Sequence, residues 1–226
     1  TELYNFSFPD AVKELAQRAG IRIVDNFDTG INKKNDKIYK ILELSAEWFQ
    51  DNLNKSNICQ EYLNKRNLKD ETIKYFKLGF SSNPNKTLYE FLKEHDYNDK
   101  EILESNVVKL DKNKKIRDFF YNRLMFPITN EFGKIVGFGG RVLDNSNPKY
   151  INSPESDFFK KRNILYNLYN SKQNIRSKKN MLICEGYMDV ISLHDKKIKT
   201  AVAPLGTSLT ETHLSLSWKY VNKPTL

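Results

Sequence analysis

The chain has 226 residues, 29% charged and 39% hydrophobic, enough for one large domain or two small ones with a real core. No apolar run approaches the ~20 residues of a membrane helix, and Thr1–Phe8 lacks a basic segment followed by an apolar one, so no membrane partner and a cytoplasmic location are expected. The formal charge of +9 favours polyanions through counterion release, while a Lys- and Asn-rich composition with no partner explains it equally well.

Ser7-Phe-Pro-Asp10 opens a helix that Gly20 ends, with Val12, Leu15 and Ala16 on its apolar face. Asn26–Lys37 is polar and reads as a linker. A long amphipathic helix is predicted over Asp36–Asn54, with Ile38, Ile41, Leu42, Ser45, Trp48, Phe49 and Leu53 at helical spacing. Shorter helices fit Ile58–Lys65, Asp70–Phe76, Thr87–His95 and Asp99–Ser105. The pattern then turns extended at Val107–Leu110. Leu124–Thr129 and Lys134–Leu143 read as a hairpin around Asn130-Glu-Phe-Gly133, Pro148–Pro154 as a loop and Ile164–Gln173 as a helix. From Met181 the order is strand (Met181–Cys184), helix (Met188–Lys196), strand (Thr200–Leu205) and helix (Leu209–Tyr220), with Asn222–Leu226 approaching a further strand. Such alternation predicts a parallel sheet with crossover helices. Cys59 and Cys184 stand far apart with no C-x-x-C, so zinc-finger spacing is absent, and His95, His194 and His213 are scattered singly.

Two constellations carry chemistry. Glu185 follows a strand end and Asp189 lies in the next helical turn, where open α/β sheets gather ligands. Carboxylates there can hold Mg²⁺; a helix N-terminal role against the macrodipole competes for Asp189, less so for Glu185, which Gly186 follows. The second set is basic: Arg123, Arg141, Lys149, Tyr150, Asn152 and Lys161. Arg141 follows Gly139 and Gly140, which allow close backbone approach, and Lys149-Tyr150 pairs a cation with an aromatic, as single-strand binders do. A hairpin edge guarded by charges is the plainer alternative.

The ordered segments Arg123–Ile128 (RLMFPI), Gly137–Leu143 (GFGGRVL), Pro148–Ser156 (PKYINSPES) and Glu185–Val190 (EGYMDV) resemble the RNA-polymerase domain of bacterial replicative primases of the DnaG type, and Leu182–Ser208 resembles the first half of a Toprim fold. The resemblance runs over about Ser7–Leu226 and includes Gln60–Arg66 and Leu78-Gly-Phe80; Lys160-Lys161-Arg162 departs from the family's His-Lys-Gly. It implies an α+β fold: a small helical unit and a mixed subdomain with a β-hairpin, then the βαβα start of a Toprim sheet. The implied division is residues 1–25, a helix and linker after a missing zinc module; 26–178, the N-terminal core subdomain, helical to about 106; and 179–226, a partial Toprim domain. The implied function is metal-dependent nucleotidyl transfer that makes short RNA primers on single-stranded DNA. Glu185 would bind metal or act in acid–base chemistry, Asp189 would support it, and the basic set would hold template and nucleotide.

The implied cofactor is Mg²⁺ or Mn²⁺, with Zn²⁺ only in the missing N-terminal module. Ribonucleoside triphosphates, an RNA primer and a replicative helicase met through a missing C-terminal domain are the implied partners of a monomer. The family's second acidic motif, Asp-x-Asp, does not occur before Leu226. The remaining acidic ligands are therefore expected beyond it, the fragment is expected to be inactive alone, and the apolar faces of Met181–Cys184 and Thr200–Leu205 are expected to lie partly uncovered. A non-catalytic single-strand-binding module and another Toprim enzyme, a topoisomerase or nuclease, are the alternatives.

Overall fold

The computed structural model of the protein describes residues 30–206 and 208–226. The predicted helix Ser7–Gly20 lies outside the described residues. The chain divides into two compact units, Thr1–Asp36 and Lys37–Leu226; every contact described belongs to the second.

Helix α1 spans Gly30–Asn54, so residues 30–36 are helical where a linker was expected. Extending a formed helix adds one hydrogen bond per residue without a new nucleus, which suffices for a polar stretch. From Ile38 on, its apolar face is core: Ile41, Leu42 and Ser45 are fully buried, with Ser45 Oγ donating back to Ile41 O at 2.7 Å. Then come α2 (Asn57–Lys65), α3 (Asp70–Tyr75), β1 (Gly79–Phe80), α4 (Leu88–Glu94) and α5 (Asp99–Glu104). Reciprocal capping boxes start α4 (Thr87 with Glu90) and α5 (Asn98 with Glu101), which accounts for their sharp N-termini.

The second part of this half is β. Strands β2 (Val108–Leu110) and β3 (Ile116–Asp118) pair antiparallel, and the half-buried Asp118 carboxylate accepts from Leu88 N at 2.8 Å and Tyr89 N at 3.0 Å, fixing α4 to β3. Burial pushes that carboxyl above its usual range against the pull of the two amides. Strands β4 (Arg123–Thr129), β5 (Ile135–Val142) and β6 (Tyr150–Asn152) join β1 in an antiparallel sheet of order β1-β4-β5-β6. The expected hairpin is present, with Arg123 opposite Val142 and a register shift at Ile128/Thr129. The expected loop Pro148–Pro154 instead contributes β6, because Gly139, Gly140 and Arg141 of β5 still have a free edge for Asn152, Ile151 and Tyr150 to pair with.

Past the 3₁₀ turn Lys161–Asn163, the predicted helix Ile164–Gln173 is displaced to α6 (Leu168–Lys178). Tyr166 is extended and bridges Ala203, its N donating to Ala203 O at 2.7 Å. Asn167, with φ of 67°, then breaks the chain direction before the helix starts. Strands β7 (Leu182–Ile183) and β8 (Ala201–Val202) pair in parallel around α7 (Tyr187–Asp195), and α8 (Glu211–Trp218) follows. Thr225 adds a parallel bridge to Leu182 on the other side of β7. Most of the sheet's apolar surface is covered: Met181, Val202, Ala203 and Leu205 are fully buried and Ile183 is 7% exposed, while Leu182 and Cys184 are half-buried, so the expectation of partly uncovered faces holds only at those two positions. The cover comes from α6 and the chain after α8 on one side (Leu168, Ile175, Val221) and on the other from the core around Phe126 of β4, Tyr166 and Tyr187.

Candidate functional site

The acidic strand end is built by β7 running out at Ile183 and α7 beginning at Tyr187. Glu185 between them is exposed, and its carboxylate has no hydrogen-bond partner among the described residues. Asp189 is exposed too, but its Oδ2 accepts from Gly186 N at 3.2 Å, capping α7. The helix-terminal role weighed for Asp189 is therefore realised in the geometry. Cys184, half-buried, has its thiol pushed up by burial and by the Asp189 charge, which leaves it a neutral packing group.

The basic set disperses into three kinds of place. Arg123 is 8% exposed; its Nη1 donates to Gly140 O at 3.3 Å and Pro148 O at 3.0 Å, binding the loop after β5 to the hairpin. Burial lowers its affinity for the proton, and Asp144 opposes that. Arg141 is held between two tyrosines, 5.0 Å over the Tyr62 ring and 5.3 Å over the Tyr150 ring, with Nη1 donating to Tyr150 Oη at 2.8 Å. Tyr150 itself is half-buried, 6.4 Å from Phe126 and 6.2 Å from Tyr187. Lys149 is exposed at the approach to β6, while Lys161 is half-buried in the 3₁₀ turn. The Lys161 main chain is tied on both sides, N donating to Glu155 Oε1 at 3.0 Å and O lying 3.1 Å from His213 Nε2.

Asn152 joins the two constellations. Its Nδ2 donates to Leu205 O at 2.9 Å and its Oδ1 accepts from Tyr187 Oη at 2.6 Å. Tyr187 sits two residues after Glu185 and stacks on Phe126 of β4 at 4.9 Å. Residues from β5, β6, the β7–α7 turn and the loop after β8 therefore share one corner. Gly139 and Gly140 serve this packing: a Cβ on Gly139 would stand 2.6 Å from the Tyr187 ring, and one on Gly140 2.8 Å from Phe120. The glycines admit rings, where close approach by a ligand was the sequence argument. Gly206, in the left-handed region with φ of 68°, faces Asn152 Nδ2 at 3.1 Å from a built Cβ.

Sequence reasoning missed Tyr62 and Arg66. Arg66 lies 5.4 Å over the Tyr62 ring, one helical turn on, so Tyr62 meets two guanidinium groups. The signal was the i, i+4 Tyr–Arg pair on α2. Two carboxylates, one of them already capping a helix, do not complete the oxygen shell of a divalent ion. No group of three or more His, Cys, Asp or Glu among the described residues could hold one. The residues present therefore do not by themselves make a metal centre.

The sequence pattern of the DNA primase catalytic core, N-terminal domain, matches residues 48–172, and that of the Toprim domain matches residues 179–225. A DNA primase from Clostridium acetobutylicum is 41% identical over 223 residues, 97% of this chain and 37% of the relative; one from Deinococcus radiodurans is 37% identical over 95% of this chain and 37% of the relative. The chain thus spans little more than a third of the length of these relatives. Among solved structures, the zinc-binding and RNA-polymerase domains of the Aquifex aeolicus primase match with a TM-score of 0.80 and 32% identity, covering 97% of this chain and 53% of that one. A DnaG primase catalytic domain bound to single-stranded DNA matches with a TM-score of 0.75 and 34% identity, covering 85% and 63%. Toprim and primase relatives imply use of divalent metal in general. With the core pattern filling more than half of its length and primases as its relatives, the chain belongs to the DNA primase catalytic-core family and continues into a Toprim segment.

Proposed function

We propose that this chain is part of a primase RNA-polymerase domain whose whole protein binds single-stranded DNA and joins ribonucleoside triphosphates into short RNA primers. The observation that carries the reading is the shared corner. Asn152 bonds both Tyr187, next to the acidic turn, and Leu205, while Arg141 and Tyr150 lie beside it on β5 and β6. A polyanion lying along Arg141 would pass close to Glu185, so template contact and the acidic group belong to one surface. In this reading Arg141, Lys149 and Lys161 face phosphate, Arg123 and Asn152 hold the backbone that presents them, and Tyr150 positions Arg141. Glu185 is the carboxylate this chain contributes toward a divalent ion, Mg²⁺ or Mn²⁺, which would supply charge stabilisation for phosphoryl chemistry. The core subdomain is taken to end near residue 178, with the Toprim segment from 179.

In the whole protein, Glu185→Gln keeps the side chain's size and removes its charge. Templated ribonucleotide incorporation should collapse while single-stranded DNA affinity stays within about twofold, a change of only about 0.4 kcal/mol. Normal incorporation by that variant would refute the role given to Glu185.

A second reading has one observation of its own. The described residues bring no third metal-binding side chain to the acidic turn, which favours DNA binding without polymerisation by this chain alone. Incorporation by the isolated chain above its Glu185→Gln control would overturn that reading.

A further inference from the structure

The small parallel sheet sorts charge by strand polarity. At its C-terminal end lie Cys184-Glu-Gly186, Ala203–Gly206 and Ser208–Thr210, which contain no lysine or arginine and one carboxylate, Glu185. At its N-terminal end three stretches converge. Arg176–Met181 enters β7, Lys196–Thr200 enters β8, and Lys219–Pro224 leads to the bridge at Thr225, which is also parallel to β7. These stretches carry Arg176 and seven lysines with no Asp or Glu, and all eight cationic side chains are exposed.

The four carboxylates that approach this end are outnumbered by its eight cations. Asp195 is buried at the end of α7, where its Oδ1 accepts from Thr72 Oγ1 at 2.7 Å and from Lys69 N at 3.2 Å. Asp70 and Glu71 open the neighbouring α3, and Glu131 lies near the Tyr220 hydroxyl. Between α6 and the chain leading to Thr225 is an open cleft of about 560 Å³, lined by Arg176, Lys179, Tyr220, Asn222 and Lys223 among others. Arg176 stands 5.1 Å over the Tyr220 ring, the same cation-on-tyrosine arrangement that Arg141 makes with Tyr150 in the other corner. From Lys179 to Glu185 is six residues of largely extended chain, roughly 20 Å at about 3.3 Å each.

We propose that this cation-lined cleft is a second nucleic-acid contact that takes the phosphate backbone of a single strand, at the end of the sheet opposite Glu185. The inference rests on the reading that the protein binds nucleic acid, but not on its catalytic part. A concave cleft with exposed cations and a tyrosine suits a strand, whereas a membrane surface calls for a broad apolar face between the charges. Ile198, Trp218 and Leu226 are large apolar side chains exposed nearby, in separate stretches of chain rather than one broad face.

The test uses the whole chain with both Lys179 and Lys223 changed to Glu. A control carries Lys112→Glu and Lys114→Glu in the exposed β2–β3 turn, with the same change in net charge. Fluorescence anisotropy with a single-stranded oligonucleotide of about 20 nucleotides, which at about 3.4 Å each reaches past both corners, is run across a salt series. The Lys179/Lys223 variant should bind about tenfold more weakly, with a salt slope smaller by about 1.4, which is two phosphate contacts at about 0.7 each for single strands. The control should match wild type. Lys179→Arg with Lys223→Arg should keep wild-type affinity, and an unchanged thermal melt of the Lys179/Lys223→Glu variant excludes misfolding as the cause.

Equal losses in the variant and the control would overturn the proposal, as net charge alone would explain them. Unchanged DNA affinity with lost binding of a poly-glutamate peptide or of anionic vesicles would overturn it in favour of a protein or membrane partner. Arg141→Ala in parallel separates the two readings. A loss there with none at Lys179/Lys223 defeats only this inference, and no loss in either defeats DNA binding by both corners.

Discussion

Arg141 shows what one residue owes to its surroundings. Its guanidinium lies over two tyrosine rings, Tyr62 and Tyr150, and one N–H is committed to Tyr150 Oη. The Tyr150 ring is therefore already covered by a cation and packed near Phe126 and Tyr187, so a base would have to displace Arg141 to stack on it. Base stacking, the role read from Lys149-Tyr150, gives way to positioning. Tyr150→Phe should then lose nearly as much single-strand affinity as Tyr150→Ala, about 1 kcal/mol for the hydrogen bond that orders the guanidinium. Neither change should add much to Arg141→Ala, since the pair acts as a unit. Wild-type affinity for Tyr150→Phe, with a loss only for Tyr150→Ala, would restore stacking. The Arg141 position was legible because it sits in a distinctive string; its tyrosine clamp was not, because Tyr62 comes from α2, far off in sequence.

His194, one of three singly scattered histidines in the sequence, is buried on α7 with its ring 4.2 Å from Tyr75 and 5.1 Å from Phe76. Burial, then Lys199 and Lys197, hold its pKa below the usual 6.5, with Asp195 opposing. The unfolded chain thus binds a proton between the lowered folded value and 6.5 that the native state refuses. This contribution to stability is present above about pH 6.5 and is lost as pH falls through the folded value. Urea midpoints at about pH 7.5 and 5.5 should drop more for wild type than for His194→Phe, which cannot charge. Parallel drops would remove His194 from the acid sensitivity.

At the scale of elements, the hairpin was fully legible and the pieces around it were not. β4 and β5 are long apolar runs either side of a turn, and local pattern suffices for such a pair. β6 has three residues, all half-buried, and exists because β5 offers an edge. α6 starts late because Tyr166 prefers a sheet bridge to Ala203 that no local pattern reveals. Gly139 marks the same limit: its lack of a side chain is a fact about Tyr187, which arrives from a separate βα turn. Gly139→Ala would put a methyl 2.6 Å from that ring, and the stacked Phe126 leaves the ring little room to retreat. Overpacking of this kind costs about 1–3 kcal/mol. Thermal unfolding of Gly139→Ala should show the loss, and Tyr187→Leu in the same chain should recover part of it. A variant as stable as wild type would mean that the corner is loosely packed.

For the whole molecule, the two subdomains implied by the sequence share one interior. Phe126 and Leu124 of the hairpin, Leu63 and Phe76 of the helical half, and Val190, Ala201 and Leu205 of the Toprim segment belong to a single buried cluster. Short strands at the chain's C-terminal end, with Leu182 and Cys184 only half-buried, suggest a region that opens early. Burial argues the reverse, because opening β7 and β8 would expose Met181, Val202 and Ala203 and strip Tyr187 from Phe126. Sub-global opening free energies follow such buried contacts. Amides of Cys184 and Leu182, which donate to Val202 O and Thr200 O, should therefore exchange on the timescale of the β4–β5 hairpin. The Ser208–Thr210 stretch and the β2–β3 turn, which bury less, should exchange far sooner. Native-state hydrogen exchange in low denaturant separates the cases. Exchange of Leu182 and Cys184 well ahead of Phe126 and Phe138 would mean that the Toprim segment unfolds as its own unit. Asn152, which bonds Tyr187 and Leu205 across that boundary, would then be a hinge between bodies rather than a fixed brace.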